Sequence, residues 1–279
     1  MKEAKERQYP VFGLDAYSPE QVVERVMKVG VKKVRLPYSK TFALGLLGGC
    51  YISLGALYQV VVMANPDISS TAGAVISPLF YAMGYTIGFI SGAEIFTSNN
   101  LTVMSYASGL VKLYEIVRNW LIVLAGNFLG SIVIVTMFFY SGSAGMFDGL
   151  LAENMLLVTS AKMDYTILQM FLLGVLGNLL IVAGVWLSMA GRTVTDKYLA
   201  LFLPLSAVPA MGFQHATGNM FHFFLSFLLL NDYSYVELPT EITLLQASLS
   251  LVVVAFGNIF GGGVLIGLSY YFIFVRGKI

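Results

Sequence analysis

Few side chains in this sequence can do chemistry, and those few sit inside apolar runs. They are Glu94, Thr97, Asn99, Asn100, Asn127, Asn178, His215, Asn219, His222 and Asn258. They offer no Ser nucleophile in a G-x-S-x-G elbow, no phosphate loop and no His-rich metal spacing. The single cysteine, Cys50, excludes an intramolecular disulfide and a cysteine-based metal cluster. A proton pump would show a longer chain of buried carboxylates, and a cation channel a ring of acids at its mouth. One central histidine, amides, hydroxyls and chain-breaking residues suit a small anion instead, because freed N–H groups and helix N-termini carry partial positive charge. The expectation is a transport site with no cofactor and no metal, not an enzyme.

The elements that position these groups are membrane helices. Of the 279 residues, 57% are hydrophobic and 11% charged, against about 25% charged in soluble domains. The net charge of +1 gives no general attraction to nucleic acid. Residues 1–40 are polar and lack the apolar core of a cleavable signal. They form a cytoplasmic segment ahead of a six-span domain at 41–276. A span needs about 20 apolar residues, and six runs qualify: roughly 41–64, 75–95, 117–140, 166–189, 198–229 and 246–275. The second leads into the polar run FTSNNLT at 96–102, and the fifth contains Pro204, Pro209, Gly212 and Gly218. Both are predicted to be discontinuous.

Fifteen of the sixteen Lys and Arg residues fall on one side of these spans, nine of them by Lys40. Lys162 is the exception, in loops that carry Asp67, Asp148, Glu153, Asp164, Asp232, Glu237 and Glu241. The positive-inside rule places both termini in the cytoplasm of a multi-pass protein of the inner (plasma) membrane. Residues 18–35 place Val22, Val26, Val29 and Val34 at helical spacing. That pattern fits an amphipathic helix on the lipid surface or one docked on protein.

Weak internal repetition accompanies the spans. LGLLGGCYISLG at 44–55 recurs as LGVLGNLLIVAG at 173–184, an offset of 129. Ala82-Met83-Gly84 matches Ala210-Met211-Gly212 at 128, and Gly126-Asn127 matches Gly257-Asn258 at 131. Three spans per half make the second copy inverted, and interrupted helices at equivalent places point to a site between spans two and five.

The strings GAEIFTSNN (92–100), NWLIVLAGNFLG (119–130), GNLLIVAGVWLSMAGRTVTDK (177–197), GFQHATGNM (212–220) and GNIFGGGVLIGLSYY (257–271) resemble the formate/nitrite transporter family, in its order and in equivalent spans. The resemblance implies an aquaporin-like, all-α homopentamer with a pore in each protomer and small monovalent anions as substrates. It places the central histidine at His215, its threonine partner at Thr97, the outer lysine at Lys162 and that lysine's amide partner at Asn258. Asn178, Glu94 and Asn219 belong to the same strings. The constrictions fall on Tyr81, Tyr85 and Val208, where the family commonly has Phe and Leu. Gln214 stands where the family often has Glu.

The physical reading agrees with an anion path. A bare carboxylate in an apolar slit meets a desolvation cost of tens of kcal/mol in the idealised limit, which the neutral acid avoids. Lys162 would gather anions, and the anion would take its proton from His215, the midplane donor oriented by Thr97, or from water while held near Lys162. Formate is the leading substrate, with nitrite or hydrosulfide as alternatives. A neutral-solute pore of the aquaporin type competes, although twin Asn-Pro-Ala motifs are absent. A membrane enzyme or structural subunit would need a constellation this sequence does not show.

Overall fold

A computed structural model describes residues 15–276. Residues 1–14 of the N-terminal segment, with Lys2, Lys5 and Arg7, and Lys278 at the other end lie outside the described residues. Within them the chain is helical, with no strand.

Helix α1 (Pro19–Val34) opens on a capping box between Ser18 and Gln21. Val22, Val23, Val26, Gly30 and Val34 are buried, three of the valines in one cluster with Tyr85, Ile95, Leu101 and Met104. The Ser105 hydroxyl donates to the Met27 carbonyl at 2.9 Å. The valine face of this helix is therefore docked on protein.

The first half continues with α2 (Tyr38–Ala64), α3 (Ser70–Ser91), the short α4 (Phe96–Asn99), a 3-10 turn at Asn100–Thr102, α5 (Val103–Ala107) and α6 (Leu113–Tyr140). The second half contains α7 (Leu150–Met163), α8 (Ile167–Ala190), α9 (Val194–Ala210), α10 (Ala216–Leu229) and α11 (Leu244–Asn258). A π-helical stretch, Ile259–Leu268, carries α11 into α12 (Ser269–Phe274). Five helices are long and apolar enough to cross a membrane: α2, α3, α6, α8 and the continuous run Leu244–Phe274. The remaining crossing is made by α9 and α10 in succession. Helix α7 does not span.

Glycines let the first and third helices of each half touch at the backbone. A Cβ on Gly126 would come within 2.9 Å of the Gly45 carbonyl carbon, and one on Gly257 within 3.1 Å of Gly174 Cα. Two large clusters make up most of the apolar core. One cluster gathers Leu151, Met155, Leu156, Phe221 and Leu225 under α7, and the other lies under α1.

Candidate functional site

Both breaks are built the same way. Helix α3 ends at Gly92, whose φ of +87° needs no Cβ. The Ala93 N–H reaches the Gly88 carbonyl at 2.9 Å and the Gly92 N–H the Phe89 carbonyl at 3.2 Å, a Schellman motif. Helix α9 ends at Gly212 (φ +68°). There the Phe213 N–H reaches Val208 O at 2.9 Å and the Gly212 N–H reaches Pro209 O at 3.1 Å. The freed chain is tied to the first helix of its half, Glu94 N–H to Leu44 O at 3.0 Å and Gln214 N–H to Leu173 O at 3.1 Å.

An asparagine from the third helix then clamps each break. Asn127 accepts from the Phe96 N–H at 3.0 Å and donates to Gly45 O at 2.7 Å and Glu94 O at 2.9 Å. Asn258 accepts from the Ala216 N–H at 2.9 Å and donates to Gly174 O at 2.8 Å and Gln214 O at 3.2 Å. This two-fold correspondence corrects one part of the sequence repeat. The offset is 129 at Gly45/Gly174 and 131 at Asn127/Asn258, but 120 at the breaks, where Gly92 pairs with Gly212. The match of Ala82-Met83-Gly84 to Ala210-Met211-Gly212 is a coincidence of composition. Asn258 is corrected too: it holds backbone and does not meet Lys162, whose ammonium instead donates to Asn219 Oδ1 at 3.3 Å.

His215 caps α10, its Nδ1 accepting from the Gly218 N–H at 3.3 Å. An accepting Nδ1 leaves the neutral ring's proton on Nε2, where it faces the Tyr81 hydroxyl. The expected His215–Thr97 bond is replaced. The Thr97 hydroxyl meets Tyr85 Oη at 3.2 Å, because tyrosines at 81 and 85 bring hydroxyls to a slit where Phe and Leu bring none. Tyr81, Tyr85, Thr97, Val208 and His215 are all buried. Asn178 donates to Thr97 O at 3.3 Å and Asn258 O at 2.7 Å, joining the two halves. His222 hydrogen-bonds Gly218 O at 2.9 Å through Nδ1. Among the described residues no cluster of side chains fits a metal ion.

A cavity of about 270 Å³ opens on the α7 side and is lined by Gln59, Tyr81, Lys162, Gln214, His215 and Asn219, among others. Lys162 is partly exposed, and the partial desolvation of its ammonium lowers it to about 8. Sequence reasoning missed the counterpart on the α1 side. Lys33 lies 129 residues before Lys162, the same offset as the glycine repeat, and each lysine is the penultimate residue of its helix. Lys33 Nζ donates to Asn99 Oδ1 at 2.7 Å and pairs with Glu94 Oε2 at 3.2 Å. Glu94 Oε2 is thus held by the Lys33 ammonium and by the Asn99 amide, which donates to it at 2.5 Å.

Comparison with known proteins decides the family. The description "Formate/nitrite transporter" matches residues 20–272 of this chain. The chain belongs to the formate/nitrite transporter family. It is therefore a membrane transport protein and not an enzyme. It is similar to the formate channel FocA of Escherichia coli (strain K12), with 28% identity over 94% of this chain and 96% of that one. It is also similar to the formate channel BtFdhC of Bacillus thuringiensis, with 26% identity over 91% and 95%. A solved structure described as a pentameric formate channel with formate bound superposes with a TM-score of 0.77 at 28% identity, covering 86% of this chain and 98% of that one. An ion channel of the same family shares the fold, with a TM-score of 0.80 at 21% identity over 90% and 98%.

Proposed function

We propose that this protein passes formate across the membrane, one pore per protomer of a homopentamer, with the anion protonated beside His215 and crossing the slit as the neutral acid. The observation that carries the reading is the cavity that Lys162 shares with the buried His215–Tyr81 pair and Val208. Similarity to formate channels along nearly the whole chain supports the substrate class, and the relative described as pentameric supports the assembly. The lysine tally puts α1 and both termini in the cytoplasm of the inner (plasma) membrane, so Lys162 faces outward.

The site divides the work. Lys162 concentrates the anion in the cavity. The proton comes from water there rather than from His215, because giving up Nε2–H would leave an imidazolate, and charging Nδ1 would cost α10 its cap. The uncharged acid then slides between Tyr81, Val208 and Tyr85, whose hydroxyls give it hydrogen bonds inside an otherwise apolar passage. Thr97 positions Tyr85, and His215 positions Tyr81. Protein reconstituted in liposomes tests the proposal: formate must cross faster than in empty vesicles, with nitrite, hydrosulfide, water and glycerol run alongside.

A further inference from the structure

The two lysine networks are related by the internal two-fold, so each serves as a control for the other. Lysine can only donate hydrogen bonds. Lys33 and Lys162 therefore each face the oxygen of an asparagine, Asn99 Oδ1 and Asn219 Oδ1. That fixes the amides: each asparagine presents its NH₂ to the next residue, Asn99 Nδ2 to Glu94 Oε2 at 2.5 Å and Asn219 Nδ2 to Gln214 Oε1 at 2.7 Å. Here the networks diverge. Glu94 is a carboxylate that also pairs with Lys33, so the α1-side network is neutral and self-satisfied. Only a cavity of about 20 Å³ adjoins Lys33.

On the α7 side the equivalent residue is Gln214. It accepts from Asn219, and its own Nε2 has no partner, although Gln214 is only 2% exposed. Among the described residues no carboxylate lies within ion-pairing distance of Lys162. The acceptors of this network are spent on one another, and the donors are left over: two protons of the Lys162 ammonium and the Gln214 amide. A buried donor without a partner is costly, by about 1–3 kcal/mol, unless a ligand supplies an acceptor.

We infer that Gln214 and Lys162 form a binding subsite for a monovalent oxyanion in the α7-side cavity, and that Gln214 is the residue that keeps this site open. A glutamate at 214 would pair with Lys162 as Glu94 pairs with Lys33 and close it. Anion capture is then one-sided, strong at the α7 mouth and absent at the α1 mouth. This deepens the transport reading and rests on it for the substrate class.

Two measurements separate the inference from that reading. Formate uptake by proteoliposomes gives an apparent KM, and sodium formate or sodium nitrite titrated into purified protein gives an anion-dependent shift in melting temperature. For Gln214→Glu the KM rises at least fivefold, with a smaller change in maximal rate, and the melting shift disappears. Gln214→Met, which has no charge to disturb folding, behaves likewise. A KM and melting shift equal to wild type in both variants overturn the subsite, even if formate is transported. A Gln214-dependent melting shift in a protein whose vesicles pass no formate upholds the subsite and overturns the transport reading.

Discussion

Replacing Lys162 by glutamine removes the α7-side cavity's charge while keeping a donor for Asn219 Oδ1. The size of the effect follows from the geometry. A carboxylate about 4 Å from an ammonium gains about 1 kcal/mol in a water-like medium and about 4 kcal/mol at the effective dielectric of a protein surface. Lys162 is partly exposed, so the lower half of that range applies. At 1.4 kcal/mol per factor of ten, 1–2 kcal/mol is about a 5- to 30-fold rise in apparent KM for formate. The pH dependence has a definite sign. Desolvation lowers Lys162 to about 8, so the ammonium is charged below that pH and the attraction is lost as the pH rises through it. Above pH 6 a simple carboxylic acid, with a pKa near about 4, is almost wholly anion, so a change in KM between pH 7 and 9 reports the protein. Wild-type KM is expected to rise across that interval. Lys162→Gln should be high and flat, and Lys162→Arg should restore the low value without the step. Stopped-flow uptake into proteoliposomes reads all three. A Lys162→Gln KM within twofold of wild type at pH 7 would refute the electrostatic argument.

Asn258→Ala strips the clamp from the second break and leaves the Ala216 N–H and the Gln214 carbonyl unpaired in a buried place. At about 1–3 kcal/mol per group, it should cost about 2–6 kcal/mol in detergent unfolding, and Asn127→Ala should cost a similar amount by symmetry; a loss below 1 kcal/mol in either would show that the clamp is redundant. His215→Asn keeps a side chain able to cap α10. It is expected to lower formate flux while leaving its fall with rising pH intact, and a flux that no longer varies with pH would make His215 the proton donor after all.

The sequence carried the crossings well and the site unevenly. The apolar runs, Gly212 and the polar stretch after Ser91 announce both breaks, because a helix end in an apolar environment must find partners for its backbone groups. The exact register was hidden. The second half is nine residues shorter than the first between Gly45 and Glu94 (49 against 40, Gly174 to Gln214), so no single offset aligns the helices and the breaks together. Lys33 was overlooked because residues 18–35 read as a surface helix. Continuing the offset of 129 backwards from Lys162 would have found it. The partners of His215, Thr97 and Lys162 came from resemblance, and the structure changed each of them: Tyr81 for Thr97, Tyr85 for His215, Asn219 for Asn258. Side-chain pairing at a constriction depends on which residues occupy it. Two tyrosines there redirect bonds that apolar side chains would leave to their neighbours.

The central claim is that this chain conducts a small monocarboxylate as the neutral acid, and proteoliposome flux tests it most directly. With a fixed outside concentration of formate, uptake should exceed that of empty vesicles, rise as the outside pH is lowered, and acidify the vesicle interior in step with formate accumulation. Uptake no faster than in empty vesicles, or rapid passage of glycerol in its place, would contradict the account.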